Sequence, residues 1–463
     1  MTMPGADAPP GDEAPAGAEA PPGANPAAGT GGPGADEPEV SAARPIHPYV
    51  HVVIVAVVGA VAVLAWILVF EAINKVVWES DTVTANPWLF PVICLPLSLV
   101  AGLLVKYRNA PTCLNESMTD SLSGDTSKID WRALPVNVVM AWVSLLSGAV
   151  LGPEGAIGGI ATKLAAFYCE KVRVPGSQRS RLVFSTLASA YNGLLANPLF
   201  TGILGSELMK DQEAKARSLP ANLIGGSIGY LVFFAVGATG LQGFLQLAPT
   251  GSLTALDVLL VAVFGLVGLA LAVVSGALFR VAGAVFGRFE GREVERALLA
   301  GVLLSAVGMF APILLFSGQS QIQEIVADPE SYGPAVLLGM AVVKLALLAV
   351  AFKGGFLGGP TFPGIFAAVC VALAIGLLFP GIRIDVVIGG VMAGFLLVLF
   401  KTPFMVILLT SVLLGASPEL TALIILAVAT VMIVQPTVLA AIEVARSARA
   451  TARSSPPAQL PPR

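Results

Sequence analysis

The sequence predicts an all-α, polytopic membrane protein whose helices are tilted, re-entrant and broken. Three observations predict it: the composition, the shape of the apolar runs, and an internal repeat. Hydrophobic residues make up 56% of the 463 and charged residues 12%, against about 25% charged in an ordinary soluble domain. That balance belongs to an integral membrane protein with many spans. Stretches around 116–124, 154–170, 178–209 and 361–379 are cut by Gly, Pro or single charges, at intervals too short for uniform spans of about 20 residues. Non-helical backbone at membrane depth is tolerated only where it is buried in protein or lines a cavity. Transporters use such breaks to aim helix ends at ions near the midplane.

Residues 1–45 are dominated by Ala, Gly and Pro with scattered acids, a composition that cannot bury enough apolar surface to offset the entropy of ordering, so they are expected to be a disordered tail. They lack the basic start of a secretory signal. The membrane domain is expected over 46–446, with a second disordered tail over 447–463. Its first span runs from about His51 to Lys75 and its second from about Asn86 to Val105. Between them Glu79 and Asp81 form an acidic loop, and Lys106 and Arg108 follow the second run. The positive-inside rule then puts both termini in the cytoplasm of a cell membrane. The basic groups Lys210, Lys215 and Arg217, then Arg280, Arg288, Arg292 and Arg296, and finally Arg446, Arg449 and Arg453 fit the same frame.

Net charge is −3, and no basic cluster interleaved with aromatics appears, which argues against a nucleic-acid partner. The four cysteines, Cys94, Cys113, Cys169 and Cys370, form no CxxC, so no zinc site or disulfide framework is indicated. His47 and His51 are the only histidines and sit at the entrance to the first span. No cofactor or metal is expected. HExxH and an interior histidine are missing, and no paired acids stand in the apolar runs, which speaks against an intramembrane enzyme.

The stretch Leu146–Ile160, LSGAVLGPEGAIGGI, sets one glutamate, Glu154, among glycines in an apolar region. A carboxylate at membrane depth costs about 2.5–3.5 kcal/mol on insertion scales and usually faces a cavity or pathway. Gly152-Pro153-Glu154-Gly155 also reads as a helix start, where the first N–H groups lack partners and attract anions. A glutamate that merely completes that helix end is the plainer alternative. Lys344 and Lys353, in or beside an apolar segment, are read as structural, snorkelling or pairing with carbonyls.

An internal repeat frames this stretch. Gly152-Pro153-Glu154 precedes Asn197-Pro198-Leu199-Phe200-Thr201-Gly202-Ile203-Leu204-Gly205-Ser206-Glu207-Leu208, and Gly359-Pro360-Thr361 precedes Thr402-Pro403-Phe404-Met405-Val406-Ile407-Leu408-Leu409-Thr410-Ser411-Val412-Leu413. The spacing from Pro153 to Pro198 nearly equals that from Pro360 to Pro403. Repeated halves with breaks at matching positions favour an ion site at their interface. Helix starts at Pro153, Pro360 and Pro403 would supply dipoles to an anion without a full cation that would trap it.

From about residue 50 to 446 these motifs resemble the CLC family of chloride channels and chloride/proton antiporters. Gly152-Pro153-Glu154-Gly155-Ala156 resembles the family's Gly-Lys/Arg-Glu-Gly-Pro, Asn197-Pro198-Leu199 with Gly202-Ile203-Leu204 its Asn-Ala-Pro-Leu-x-Gly-Ile-Leu helix, and Gly358-Gly359-Pro360-Thr361-Phe362-Pro363 its Gly-Gly-x-Phe-x-Pro loop. Trp131-Arg132-Ala133-Leu134-Pro135-Val136 is similar to the approach to the glutamate motif, and Lys401-Thr402-Pro403 to a later helix start. The resemblance implies two inverted repeats, roughly 50–238 and 251–435, and a homodimer with one pore per subunit. Ala190–Leu208 with Leu396–Leu413 would supply the dimer face. It implies that Glu154 gates the passage of chloride or a similar small anion, that Glu207 handles protons or stands beside the residue that does, and that Gly152, Gly155, Ala156, Gly359, Thr361, Phe362 and Cys113 bind the anion.

The departures bear on mechanism. The family's Gly-Ser-Gly-Ile-Pro loop is absent, with Cys113-Leu114-Asn115-Glu116 about there, and its anion-binding tyrosine falls near Val438. Pro360 has no N–H to offer, so Thr361 and Phe362 are the expected donors. Glu207 is followed by Leu208 where exchangers carry a proton glutamate; a one-residue gap would instead make Glu207 that residue. The expected function is anion transport as a channel or a weakly proton-coupled antiporter. A stoichiometric chloride/proton or fluoride/proton antiporter, and a cation-coupled transporter of unrelated fold, are the alternatives.

Overall fold

The first apolar run folds as one helix, α1 (Pro48–Trp78), with Pro48 in its first turn, where a missing N–H costs nothing. The coordinates, a computed structural model, describe residues 47–113, 129–208, 212–238, 244, 245, 247 and 253–454. The expected tail over 1–45, the stretch 116–124, Leu114 to Glu116 and Lys210 lie outside the described residues. After α1 come a short α2 (Asp81–Ala85) and α3 (Leu89–Arg108). The last turn of α3 carries Lys106 and Arg108, and Asn109 at φ 48° ends it. The two expected spans are thus present, the first extended by three residues at each end and the second shifted three residues along the chain.

The re-entrant part follows. A single 3-10 turn at Trp131–Ala133 leads into α4 (Leu134–Leu146), then α5 (Glu154–Lys171), α6 (Gly176–Leu194), the short α7 (Phe200–Leu208) and α8 (Gln212–Ala235). The second half contains α9 (Ala255–Phe286), α10 (Glu293–Phe310), α11 (Gln319–Ala327), α12 (Gly333–Gly354), α13 (Thr361–Leu378), α14 (Ile384–Phe400), α15 (Pro403–Leu414) and α16 (Pro418–Ser454). No strand is found among the described residues, and seven helices are long and apolar enough to cross a membrane. α16 continues to Ser454, past the boundary at 446 drawn from the sequence.

The breaks fall where Gly and Pro cut the pattern, and they match between the halves. Ala196 has φ 51° two residues before Pro198, and Lys401 has φ 59° two residues before Pro403. The residue directly before a proline is pushed off the helical region, as Thr402 at φ −126° and ψ 90° shows, and with the left-handed residue before it the chain turns. Two asparagines satisfy the freed backbone of the first break, and Asn197 Oδ1 accepts from the Leu199 N–H at 2.8 Å. Asn192 Oδ1 accepts from the Thr201 N–H at 2.9 Å and its hydroxyl at 2.8 Å, while its Nδ2 donates to the Pro198 carbonyl at 2.7 Å.

α13 lies at the centre, with 78% of its span buried against 28% for α3. Both faces of α13 are therefore apolar, as a helix surrounded by protein requires. Close crossings rest on glycine. A Cβ at Gly394 in α14 would meet the Gly265 backbone of α9, and one at Gly268 would meet Val391 and Phe395. Small residues on both partners let helix backbones approach, the main source of helix association in lipid.

Within the segments expected to form a dimer face, Ala190–Leu208 and Leu396–Leu413, some residues pack inside the chain and others face outward. Ala190, Tyr191, Phe200, Leu204, Leu396, Leu409 and Leu413 are buried within the chain, because α7 and α15 pack against each other and against their neighbours. Leu199 and Phe404 remain exposed on that surface.

Gly394→Leu forces side-chain atoms into the α9 backbone, an overpacking cost of about 1–3 kcal/mol or more. Thermal aggregation in detergent will show a lowered midpoint. Gly276→Ala, whose added Cβ meets nothing within 4 Å, will hold its midpoint or gain up to about 1 kcal/mol from helix propensity.

Candidate functional site

Two loops, one from each half, meet in a two-bond antiparallel pairing. Gly152 N–H donates to the Gly359 carbonyl and Gly359 N–H to the Gly152 carbonyl, each at 2.8 Å. Each loop turns directly into a helix, α5 at Glu154 and α13 at Thr361, with Pro153 and Pro360 as the capping residues. The starts of α5 and α13 are thereby brought together. Partial positive charge gathers at such ends, about half a unit each.

Glu154 occupies the junction and is 4% exposed. Its Oε1 accepts from the Thr361 N–H at 2.7 Å, across 207 residues of sequence. The Thr361 hydroxyl and the Phe362 N–H also act on this carboxylate. Its Oε2 is buried with no hydrogen-bond partner among the described residues. The main chain of Glu154 is gripped separately, since the Tyr191 hydroxyl of α6 donates to its carbonyl at 2.9 Å.

Glycine makes this approach possible. A Cβ at Gly155 would coincide with the Gly358 carbonyl, and one at Gly359 would strike the Glu154 side chain. Two further groups brace the second loop. Ser144 Oγ of α4 accepts from the Leu357 N–H at 3.0 Å, and Cys113 Sγ lies 3.1 Å from the Gly358 nitrogen and 3.0 Å from its carbonyl oxygen.

The residues singled out from sequence therefore separate. Glu154, Thr361 and Phe362 converge, with Gly155 at the closest backbone contact. The N–H groups of Gly152 and Gly359 are spent on each other, and the Ala156 N–H returns to the Pro153 carbonyl at 3.0 Å. The Cys113 thiol is committed to Gly358. The third expected helix start is also taken: Glu207 Oε1 and Oε2 accept from the Phe404 and Met405 N–H groups at 2.8 and 3.0 Å, capping α15. Lys344, fully buried, donates to the carbonyls of Leu314, Leu315 and Phe316 at 3.1, 2.9 and 3.0 Å and lies 4.5 Å from the Phe366 ring centroid. It ties the turn at 314–316 to α13. Tyr191 and Ser144 were not singled out from sequence. A lone tyrosine or serine in an apolar helix carries no local signal of a partner far along the chain.

A cavity of about 1010 Å³ is lined in part by Leu151 and Pro153, the residues just before Glu154 in this loop. Trp78, Phe90 and Phe316 are also among its lining residues, with Glu71, Asn74, Lys75, Glu79 and Glu324 as its charged and polar lining. Phe316, at φ 57°, packs edge-on against Trp78 with ring centroids 5.1 Å apart.

A family model described as voltage gated chloride channel matches residues 97–435. YfeO of Escherichia coli strain SE11, a protein named for ion transport, is 23% identical over 393 residues, covering 79% of this chain and 90% of YfeO. YfeO of Escherichia fergusonii is 24% identical over 326 residues, 68% of this chain and 74% of its own. Among solved structures, a slow cyanobacterial Cl−/H+ antiporter matches with a TM-score of 0.72 at 15% identity, covering 85% of this chain and 95% of that one. A CLC-type fluoride/proton antiporter matches at 0.65 and 17%, covering 84% and 95%. At such identities the likeness to these two structures is one of fold.

Gly155→Ala places a methyl group on the Gly358 carbonyl and forces the loops apart, so anion flux per reconstituted protein will fall at least about tenfold; Gly176→Ala, with open space around its Cβ, will not change it. Glu207→Ala uncaps α15 and will lower thermal stability by about 0.5–2 kcal/mol, the usual worth of a helix cap. Glu207→Gln, which keeps one acceptor, will lose less.

Proposed function

The chain belongs to the voltage gated chloride channel family, and on that footing we propose that it carries chloride or a similar small anion across a cell membrane, with Glu154 as its gate. Anion transport is the family's activity; the gate, the degree of proton coupling and the assembly are our reading. The observation that carries it is the bond from the Thr361 N–H to Glu154 Oε1 at 2.7 Å. A carboxylate accepting from a helix N-terminus at membrane depth occupies a place built for negative charge. A permeant anion would occupy the same place when the side chain swings out.

Bonds to a charged group are worth about 1.5–3 kcal/mol, which favours the bound carboxylate by about ten- to a hundredfold. An anion arriving through the cavity beside Leu151 and Pro153 competes against that preference. Protonation weakens the carboxylate's hold and opens the same path. Thr361, Phe362 and the α5 start would hold the anion.

We read the coupling to protons as absent or weak. Glu207 is engaged in capping α15, and Leu208 beside it can neither bind nor pass a proton. Stoichiometric proton exchange is the second reading, favoured by the unpartnered Oε2 of Glu154, a ready place for a proton. The basic residues near α3, α9 and the end of α16 support cytoplasmic termini. A homodimer with one pathway per subunit is part of the same reading. Its contact surface would include Leu199 and Phe404.

Liposomes with an imposed chloride gradient, potassium and valinomycin, and a record of internal pH test this directly. Glu154→Gln is expected to keep anion flux but flatten its dependence on pH, and Glu207→Gln to transport as the parent does. Flux in Glu154→Gln as pH-sensitive as the parent would remove Glu154 from the mechanism. Stoichiometric uphill proton movement, lost in Glu154→Ala and kept in Glu207→Gln, would select the second reading. Sodium-dependent flux indifferent to chloride would overturn both.

A further inference from the structure

A gate side chain that leaves and returns needs a main chain that stays still. The start of α5 is poorly suited to this on its own. Gly152, Gly155, Gly158 and Gly159 surround Glu154, glycine is the least rigid residue in a helix apart from proline's breaks, and a first helical turn has unsatisfied N–H groups that let it fray. One contact from another helix addresses that weakness. The Tyr191 hydroxyl, three residues before the end of α6, donates to the Glu154 carbonyl at 2.9 Å. The tyrosine is 0% exposed, so its ring is fixed by packing and its hydroxyl is aimed by the ring.

We propose that Tyr191 is a positioning residue for the gate: it pins the main chain of Glu154 so that only the carboxylate moves, and so sets how strongly that carboxylate competes with the permeant anion. The proposal rests on Glu154 acting as the gate. With the tether in place, Oε1 meets the Thr361 N–H at 2.7 Å. Without it, the first turn shifts with the side chain, the carboxylate loses alignment, and the anion displaces it more easily. The Tyr191 hydroxyl acts on Glu154's peptide carbonyl. Its removal should therefore alter the competition and leave the pathway's width as it was.

The experiment is chloride flux in liposomes as a function of chloride concentration for the parent, Tyr191→Phe, Glu154→Ala and the double variant. Phenylalanine keeps the buried ring and removes only the donor. Tyr191→Phe is expected to reach half-maximal flux at a chloride concentration lower by about two- to tenfold, the worth of one ordinary hydrogen bond, with maximal flux within about twofold. In the Glu154→Ala background the same change is expected to have no effect. Site-specific 3-fluorotyrosine at 191, a stronger donor of nearly the same shape, is expected to move the half-maximal concentration upward, and it serves where Tyr191→Phe fails to fold. An equal shift with and without Glu154, or none with either change at 191, would overturn the proposal while leaving the gate intact. Concentration dependence unchanged by Glu154→Ala would overturn the gate and this proposal together.

Discussion

Everything near the centre of this molecule follows from placing one carboxylate, Glu154, at membrane depth without a cation beside it. Insertion of such a charge costs about 2.5–3.5 kcal/mol. A hydrogen bond to a charged group contributes about 1.5–3 kcal/mol, and a helix end up to about 2 kcal/mol in a favourable buried geometry. These come to nearly the same total. A lysine partner would have held the carboxylate far more tightly, and Lys344, fully buried, is turned away onto three carbonyls. Near balance is what an element with two positions requires, since a shift in population needs a small gap between states.

The balance depends on geometry that only small residues allow. Helix ends repel one another where their positive ends meet, so α5 and α13 need something to hold them together. The reciprocal bonds between Gly152 and Gly359 do so. A side chain at Gly155 or Gly359 would occupy the space taken by the Gly358 carbonyl or by the Glu154 carboxylate. The surrounding groups, Ser144 on Leu357 and Cys113 on Gly358, satisfy a loop that would otherwise leave buried peptide groups unpaired, at a cost of about 1–3 kcal/mol each. The thiol at Cys113 thus serves the loop's own backbone.

Legibility in the sequence followed the range of the interactions. The membrane class, the long spans and the breaks at Pro198 and Pro403 depend on local composition and backbone sterics, and α1, α3, α7 and α15 lie where those signals put them. Glu154 was legible because a charge in an apolar run is conspicuous. Thr361 entered through the family resemblance and the missing N–H of Pro360, as an anion donor and not as the partner of Glu154, from which it lies 207 residues away. Tyr191 was not: its role comes from a hydroxyl reaching across from α6, and nothing near position 191 marks that. What covers the outward surface of α7 and α15 is not legible for a related reason. Periodicity shows that a helix is apolar all round, and in a membrane protein an apolar face suits lipid, a partner chain or the chain's own interior equally well.

The contrast between the two glutamates carries the functional reading furthest. Both carboxylates meet the N-terminus of a helix from the opposite half of the chain. Glu207 uses both oxygens, on two successive N–H groups of α15, and releasing it would expose both donors at once. Glu154 uses one oxygen on α13, and its other oxygen is buried without a partner. That unsatisfied atom costs free energy while the side chain stays in place, and the cost is relieved by a proton or by departure. On the proposed reading, one glutamate is a fixed part of the scaffold and the other is a gate that an exchangeable anion can displace. The same residue type at the same kind of helix end would then serve as a brace in one half and a movable ligand in the other, and the difference would lie in how many of its lone pairs the fold has answered.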